Sequence, residues 1–171
     1  MKKHYNLAIL FILIPFLGFS NDDTFISKQK SIKKTYIVNS NAGIDIDNKY
    51  GNISVSTWDE DKIDLDITIK VTGGNENWVN EKLNSIDVDI TALKSMVTAV
   101  TNMGSSSLKS QGSSNSFEIN YVIKIPKNGT LEARYSGLKI NDSGNLNLDT
   151  NYTDLTIADG QNIKYDCNYG T

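Results

Sequence analysis

Residues 135–171 read YSGLKINDSGNLNLDTNYTDLTIADGQNIKYDCNYGT, and their spacing decides the fold. Tyr135, Tyr152 and Tyr169 stand 17 positions apart. Tyr135-Ser136-Gly137-Leu138-Lys139-Ile140 is answered by Tyr152-Thr153-Asp154-Leu155-Thr156-Ile157. A second, interleaved strand repeats at the same interval: Asn145-Leu146-Asn147-Leu148-Asp149, then Asn162-Ile163-Lys164-Tyr165-Asp166. An earlier copy of the first strand is Lys49-Tyr50-Gly51-Asn52-Ile53-Ser54-Val55. A fixed period with matching strands and turns predicts units that stack and cover one another's apolar edges. Leu138, Ile140, Leu146, Leu148, Leu155, Ile157 and Ile163 are the predicted inward residues. The expected fold is mainly β, a β-solenoid or β-helix-like stack of short strands. The alternative is a β-sandwich meander, which also spaces its strands regularly.

Upstream, apolar and polar residues alternate with period two, the mark of half-buried strands. Ile44 and Ile46 alternate with Asp45 and Asp47; Ile63 to Val71 alternate with Asp64, Asp66, Thr68 and Lys70. Ile86, Val88 and Ile90 do so with Asp87 and Asp89, and Phe117 to Ile125 with Glu118, Asn120, Val122 and Lys124. Residues 94–103 read as a further strand and the Gly/Ser-rich residues 104–116 as a flexible loop. One segment changes period: in residues 75–86, NENWVNEKLNSI, the residues Trp78, Val79, Leu83 and Ile86 fall at helical spacing after Asn75, a cap residue. One short helix is expected there. Trp58 and Trp78 read as packing residues.

At the other end, Lys2 and Lys3 precede the apolar run Leu7–Leu17 and small residues at Gly18 and Ser20, the order of a secretory signal over residues 1–20. The apolar run is shorter than the ~20 residues needed to span a bilayer, and no later run reaches that length, so no transmembrane segment is expected after cleavage. Residues 21–34 read as a polar leader with Lys28, Lys30, Lys33 and Lys34 in solvent, and residues 35–171 as one β domain. The expected location is exported: periplasm, outer surface or secreted. The sequence stops on Asn168-Tyr169-Gly170-Thr171, the turn that opens another strand. That reads either as a truncated product or as an exposed last unit open to edge-to-edge self-association.

Composition removes whole classes of chemistry. The 171 residues include one His, inside the signal, and one Cys, Cys167. Removal of residues 1–20 leaves 15 basic against 20 acidic residues, with Arg134 the single arginine. Imidazole-dependent nucleophiles, His-ligated zinc and Cys clusters are therefore excluded, an internal disulfide is impossible, and a nucleic-acid partner is not expected. No cofactor is expected. Carboxylates are plentiful at Asp45/Asp47, Asp59-Glu60-Asp61, Asp64/Asp66 and Asp87/Asp89. Most occupy outward positions of alternating strands, where they keep a face wet. A calcium site at Asp59-Glu60-Asp61 or Asp45-Ile46-Asp47-Asn48 lacks EF-hand spacing. The candidate ligand or ladder face is Tyr50, Tyr135, Tyr152 and Tyr169 with Asn151 and Asn168, able to stack on sugars or capture peptides.

The order of a signal peptide, IDNKYGNISVSTWDEDKIDLDITIKV (residues 46–71), a short helix, a Gly/Ser/Asn-rich loop, INYVIKIPKNGTL (residues 119–131) and Tyr-headed repeats resembles the bacterial putative-adhesin domain family, a group of unknown function related to head-domain autotransporter adhesin-like proteins. The resemblance spans roughly residues 35–171 and implies an exported β-solenoid without catalytic residues. The expected role is thus a non-enzymatic cell-envelope or surface binding module, adhesin-like, whose partner is a cell-surface glycan or protein. The alternatives are a polysaccharide-acting β-helix enzyme using paired Asp and a ligand-free structural envelope protein.

Overall fold

The computed structural model describes residues 25–104, 115–135, 137–142, 145–151 and 154–168. Twelve strands and one helix follow in order: β1 (Ile26–Ile37), β2 (Gly43–Asp47), β3 (Asn52–Trp58), β4 (Lys62–Gly73), α1 (Glu76–Ser85), β5 (Ile86–Ala92), β6 (Met96–Met103), β7 (Ser116–Pro126), β8 (Thr130–Arg134), β9 (Gly137–Asp142), β10 (Asn145–Asn151), β11 (Asp154–Ile157) and β12 (Asn162–Asn168). They form two six-stranded sheets. The first runs β1-β4-β7-β3-β9-β11 and the second β12-β10-β8-β2-β6-β5.

Parallel neighbours need a crossover. From β7 onward the crossover is a strand of the opposite sheet, because successive strands alternate between the first sheet and the second. The parallel registers are Thr130↔Asn147 in β8/β10, Asn147↔Lys164 in β10/β12 and Gly137↔Asp154 in β9/β11. Each is an offset of 17 positions. At the other end of the first sheet the pairings β1/β4 and β4/β7 are antiparallel, as is β5/β6 in the second.

Alternation along the strands sends one set of side chains into a single shared core. Ile44 and Ile46 of β2, Ile53 and Val55 of β3, Ile63 to Val71 of β4, Ile119 to Ile125 of β7 and Leu131 of β8 are buried at their apolar positions. Fully burying one such side chain contributes about 1.5–3 kcal/mol before entropy is counted. Leu138, Ile140 and Leu146 continue the core, and Leu155 and Ile163 pack against it partly buried. Ile157, expected inward, is 42 % exposed instead. It ends β11, which among the described residues has a strand on one side only. The side chain of Leu148 lies outside the described residues.

The helix begins where expected. Asn75 is extended at φ −123°, ψ 118°, and its side-chain oxygen accepts from the Trp78 N–H at 3.0 Å. Trp78 and Val79 are buried, and α1 packs on β1, β4 and β5. Ile86 leaves the helix directly into β5.

The polar leader requires correction from Ile26 onward: residues 26–34 belong to β1, a twelve-residue strand paired with β4 along its whole length. Lysines at its half-buried positions conceal the period-two pattern. Lys28 and Lys30 lay their aliphatic stems along the sheet. Their ammonium groups do not stand free in solvent. Lys28 Nζ donates to Glu76 Oε1 at 2.6 Å and to Asn80, and Lys30 Nζ donates to the Ile86 carbonyl. The signal segment, residues 1–20, and most of the Gly/Ser-rich loop lie outside the described residues.

One buried polar group joins the two sheets. Asn48, fully buried, gives its backbone N–H to the Arg134 carbonyl and its Nδ2 to the Ile119 carbonyl at 2.9 Å. Its Oδ1 accepts from Thr101, whose hydroxyl is 2.7 Å from the Tyr121 hydroxyl. Burial pushes the Tyr121 phenol up to about 12, with the Thr101 hydrogen bond opposing and the Asp47 charge adding to the rise.

Candidate binding surface

The C-terminal ends of four strands of the second sheet lie side by side. Asp47 pairs with Arg134, Arg134 with Asn151, and Asn151 with Asn168, so the ends of β2, β8, β10 and β12 form one row. Asn52 of β3 pairs with Gly137 of β9, and Gly137 with Asp154 of β11. Tyr50 and Tyr135 each stand two residues before this second row and so hold equivalent places. Of the other expected face residues, Asn168 is exposed, Asn151 is described only by its backbone pairing, and Tyr152 and Tyr169 lie outside the described residues.

Both described tyrosines present their rings to solvent, Tyr50 at 45 % and Tyr135 at 41 % exposure. The Tyr50 ring meets Phe117 edge-on, with centroids 4.9 Å apart, and Lys82 of α1 lies 4.7 Å from the Phe117 centroid. Lys49 Nζ sits 5.3 Å from the Tyr135 centroid. Such exposed cation–ring contacts contribute about 0.5–1 kcal/mol and limit ring motion. Tyr135 has φ +62°, the one positive φ at a non-glycine residue among the described residues. A bulky side chain pays a steric penalty there. Beside Tyr50, Gly51 has φ +142°, and a Cβ on it would run into the Ile119 carbonyl, so the turn that presents Tyr50 requires glycine.

Next to this row the outer face of the first sheet is hollowed. A cavity of about 640 Å³ lies over Gly137, bounded by Asn52, Ser54, Lys139, Asp154 and Thr156. Gly137 makes it: the flanking strands carry Asn52 and Asp154 at the same register, and the middle strand has no side chain between them. A smaller cavity of about 180 Å³ on the second sheet touches Glu132, Arg134, Asp149 and Asn168. Arg134 holds Asp45 through Nη1 at 2.8 Å and reaches Glu132 at 3.5 Å. Sequence reading singled out neither Arg134 nor Gly137 as a site residue. The signal available was the 17-position register, which sets Gly137 opposite Asp154.

The carboxylates considered for catalysis are spread over the surface and engaged there. Asp59 pairs with Lys127, Glu60 with Lys62 and Asp66 with Lys33. Asp64 accepts from Thr35, and Asp89 from Asn102. The hydrogen bond that Lys33 donates to Asp66, then that carboxylate's charge, raises the Lys33 ammonium above the ordinary lysine range. Among the described residues no three His, Cys, Asp or Glu side chains are placed to hold a metal ion. No described helix is long and apolar enough to cross a membrane. Trp78 packs in the core as expected, whereas Trp58 is only partly buried, with Lys124 Nζ 5.3 Å from its ring centroid.

No protein-family model matches this chain, and no curated protein does. Among solved structures it is similar to a putative adhesin from Parabacteroides merdae, at 11% identity and TM-score 0.40 over 77% of this chain and 57% of that one. It is similar also to a putative cell adhesion protein from Clostridium sporogenes, at 11% identity and TM-score 0.31 over 75% of this chain and 57% of that one. A putative adhesin from Bacteroides fragilis matches at 13% identity and TM-score 0.31, over 78% of this chain and 60% of that one. The chain therefore spans about three fifths of the length of these three structures.

Proposed function

We propose that this chain is an exported, non-catalytic β-solenoid that serves as an adhesin-like binding module of the cell envelope or surface, with its ligand held along the tyrosine-bearing margin. The observation that carries this reading is the register of 17 positions in β8/β10, β10/β12 and β9/β11, which repeats one turn in space, together with the β3/β9 pairing, which sets Tyr50 and Tyr135 each two residues before the paired Asn52 and Gly137. A ligand with its own repeat can meet such a row at several points at once. The outward carboxylates support a binding role over hydrolysis, since they are engaged by lysines, hydroxyls and amides along the strands rather than facing one another across a cleft. Residues 1–20 would direct export.

The test is to express the full chain in a bacterial host and recover it from the envelope fraction. Its N-terminus is expected at Asn21. The recovered protein is then offered a glycan array and a cell-envelope extract. Retention without cleavage is expected, and it weakens in a Tyr50→Ala/Tyr135→Gly double variant. Glycan cleavage that disappears in the Asp59→Asn/Asp61→Asn double variant overturns the reading in favour of an enzyme.

A further inference from the structure

The hollow over Gly137 has a chemistry of its own. Its walls alternate donors and acceptors in two adjacent register rows, Asn52–Gly137–Asp154 and Ser54–Lys139–Thr156. Amide, carboxylate, hydroxyl and ammonium groups thus surround a floor of bare backbone. One lysine and one aspartate balance each other, so the pocket selects for neither cations nor anions. The tyrosines stand close by: Tyr135 is two residues from Gly137 and Tyr50 two from Asn52, at most about 7 Å along the chain. Their rings are half-exposed and held by Lys49 and Phe117.

A ligand that suits this arrangement has many hydroxyls, each both donor and acceptor, and an apolar C–H face for an aromatic ring. It carries no net charge, and it is extended. We infer that the Gly137 hollow is a subsite for a neutral pyranose oligosaccharide: the sugar hydroxyls bond to Asn52, Ser54, Lys139, Asp154 and Thr156, and Tyr135 stacks on a ring face. This rests on the reading that the tyrosine margin binds a ligand, and it names the class. A peptide fits less well. Strand addition uses the unpaired backbone of an edge strand, whereas the hollow lies on the outer sheet face and is walled by side chains of β3, β9 and β11.

The cost of holding Tyr135 at φ +62° agrees with a ring placed for contact. It also supplies a clean variant. Tyr135→Gly removes the ring and relieves the backbone, so the fold is retained or gains stability. Gly137→Val fills the hollow with a strand-favouring side chain. Its Cβ comes 2.5 Å from Asn52 Oδ1, the end of a rotatable side chain that can swing away.

The experiment is titration calorimetry of the exported full chain and of both variants against maltohexaose, cellohexaose, chitohexaose and mannohexaose, with urea unfolding as the control for folding. At least one hexasaccharide is expected to bind, and each variant weakens that binding tenfold or more while its unfolding midpoint stays at or above the parent's. If no hexasaccharide binds, the sugar class is overturned. The binding-module reading then survives only if the envelope extract still shows retention that depends on the tyrosines. Binding that all three proteins share equally overturns the hollow as the site and leaves the module reading standing.

Discussion

The two ends of the paired sheets are built from the same kind of strand and, among the described residues, are covered very differently. At one end β1, β4 and β7 pair antiparallel, and α1 lies against β1 and β4 with Trp78 and Val79 buried. Ile63, Leu65, Ile67, Ile69 and Val71 are all shielded there. At the other end β11 and β12 complete their parallel ladders, yet Leu155 and Ile163 are only partly buried and Ile157 stands open to water. In the described sheets β1 at the first end and β11 and β12 at the other are each paired on one side only. What differs is whether, among the described residues, anything lies over the last apolar layer. Pairing sets the register of a strand, and cover sets how much its side chains stabilise it.

The largest contrast follows directly. Ile67→Ala empties a closed part of the core and is expected to cost about 2–5 kcal/mol. Leu155→Ala removes a side chain that water already reaches, so its cost falls well below that range. Urea unfolding of the two variants checks this. Equal losses would break the comparison and show that the β11 end is covered in solution. Native-state hydrogen exchange sharpens it: β4 and β7 amides should open only with global unfolding, whereas β11 and β12 amides exchange through smaller openings.

The same contrast explains which parts of the fold were legible in the sequence. Strands β2, β4, β5 and β7 announce themselves because apolar residues on a buried face alternate with polar or exposed ones, throughout β4 and over most of the other three. The helix is legible because Asn75 and the spacing of Trp78, Val79 and Leu83 agree. β1 is hidden, because lysines occupy half-buried positions and pass for a solvated leader until Glu76, Asn80 and the Ile86 carbonyl are seen to receive them. The interval of 17 gave the parallel offsets of β9/β11 and β10/β12, but nothing local reveals that β8 joins the same ladder or that β3 lies between β7 and β9. For the candidate site, the tyrosine positions could be read from the repeat. The hollow could not, since it exists only when Gly137 is flanked by Asn52, 85 positions earlier, and Asp154, 17 later.

Between the two ends lies the polar crossing of Asn48, Thr101 and Tyr121, which predicts a pH effect of intermediate size. The Tyr121 phenol is raised to about 12 in the folded protein, chiefly by burial, against 10.0 for an unperturbed tyrosine. A raised value means the folded state keeps its proton after the unfolded chain has lost it. The contribution is therefore fully present below pH 10 and is lost as pH rises toward 12. Two pH units correspond to about 2.7 kcal/mol at most. Tyr121→Phe cannot ionise, so its stability falls less over this interval than the parent's, although at pH 7 it is weaker by about 1 kcal/mol for the lost Thr101 hydrogen bond. Parallel slopes for both proteins from pH 9 to 12 would show that water reaches the phenol, and that the core is open at its middle as well as at the β11 end.

The smallest effect tests the cover itself. Asn75 closes the first turn of α1 by accepting the Trp78 N–H, and Glu76 follows in that turn, its carboxyl held below the usual range by the hydrogen bond from Lys28 and then by that lysine's charge. Asn75→Ala leaves the N–H without its side-chain acceptor and is expected to cost about 1 kcal/mol. The loss should be local before it is global. Loosening the helix start frees Trp78, so tryptophan fluorescence shifts to the red at urea concentrations where the β-sheet signal is still native. Coincident transitions would mean that α1 and the β4 layer unfold as one unit, and that the helix is an integral layer of the core and not a lid laid over it.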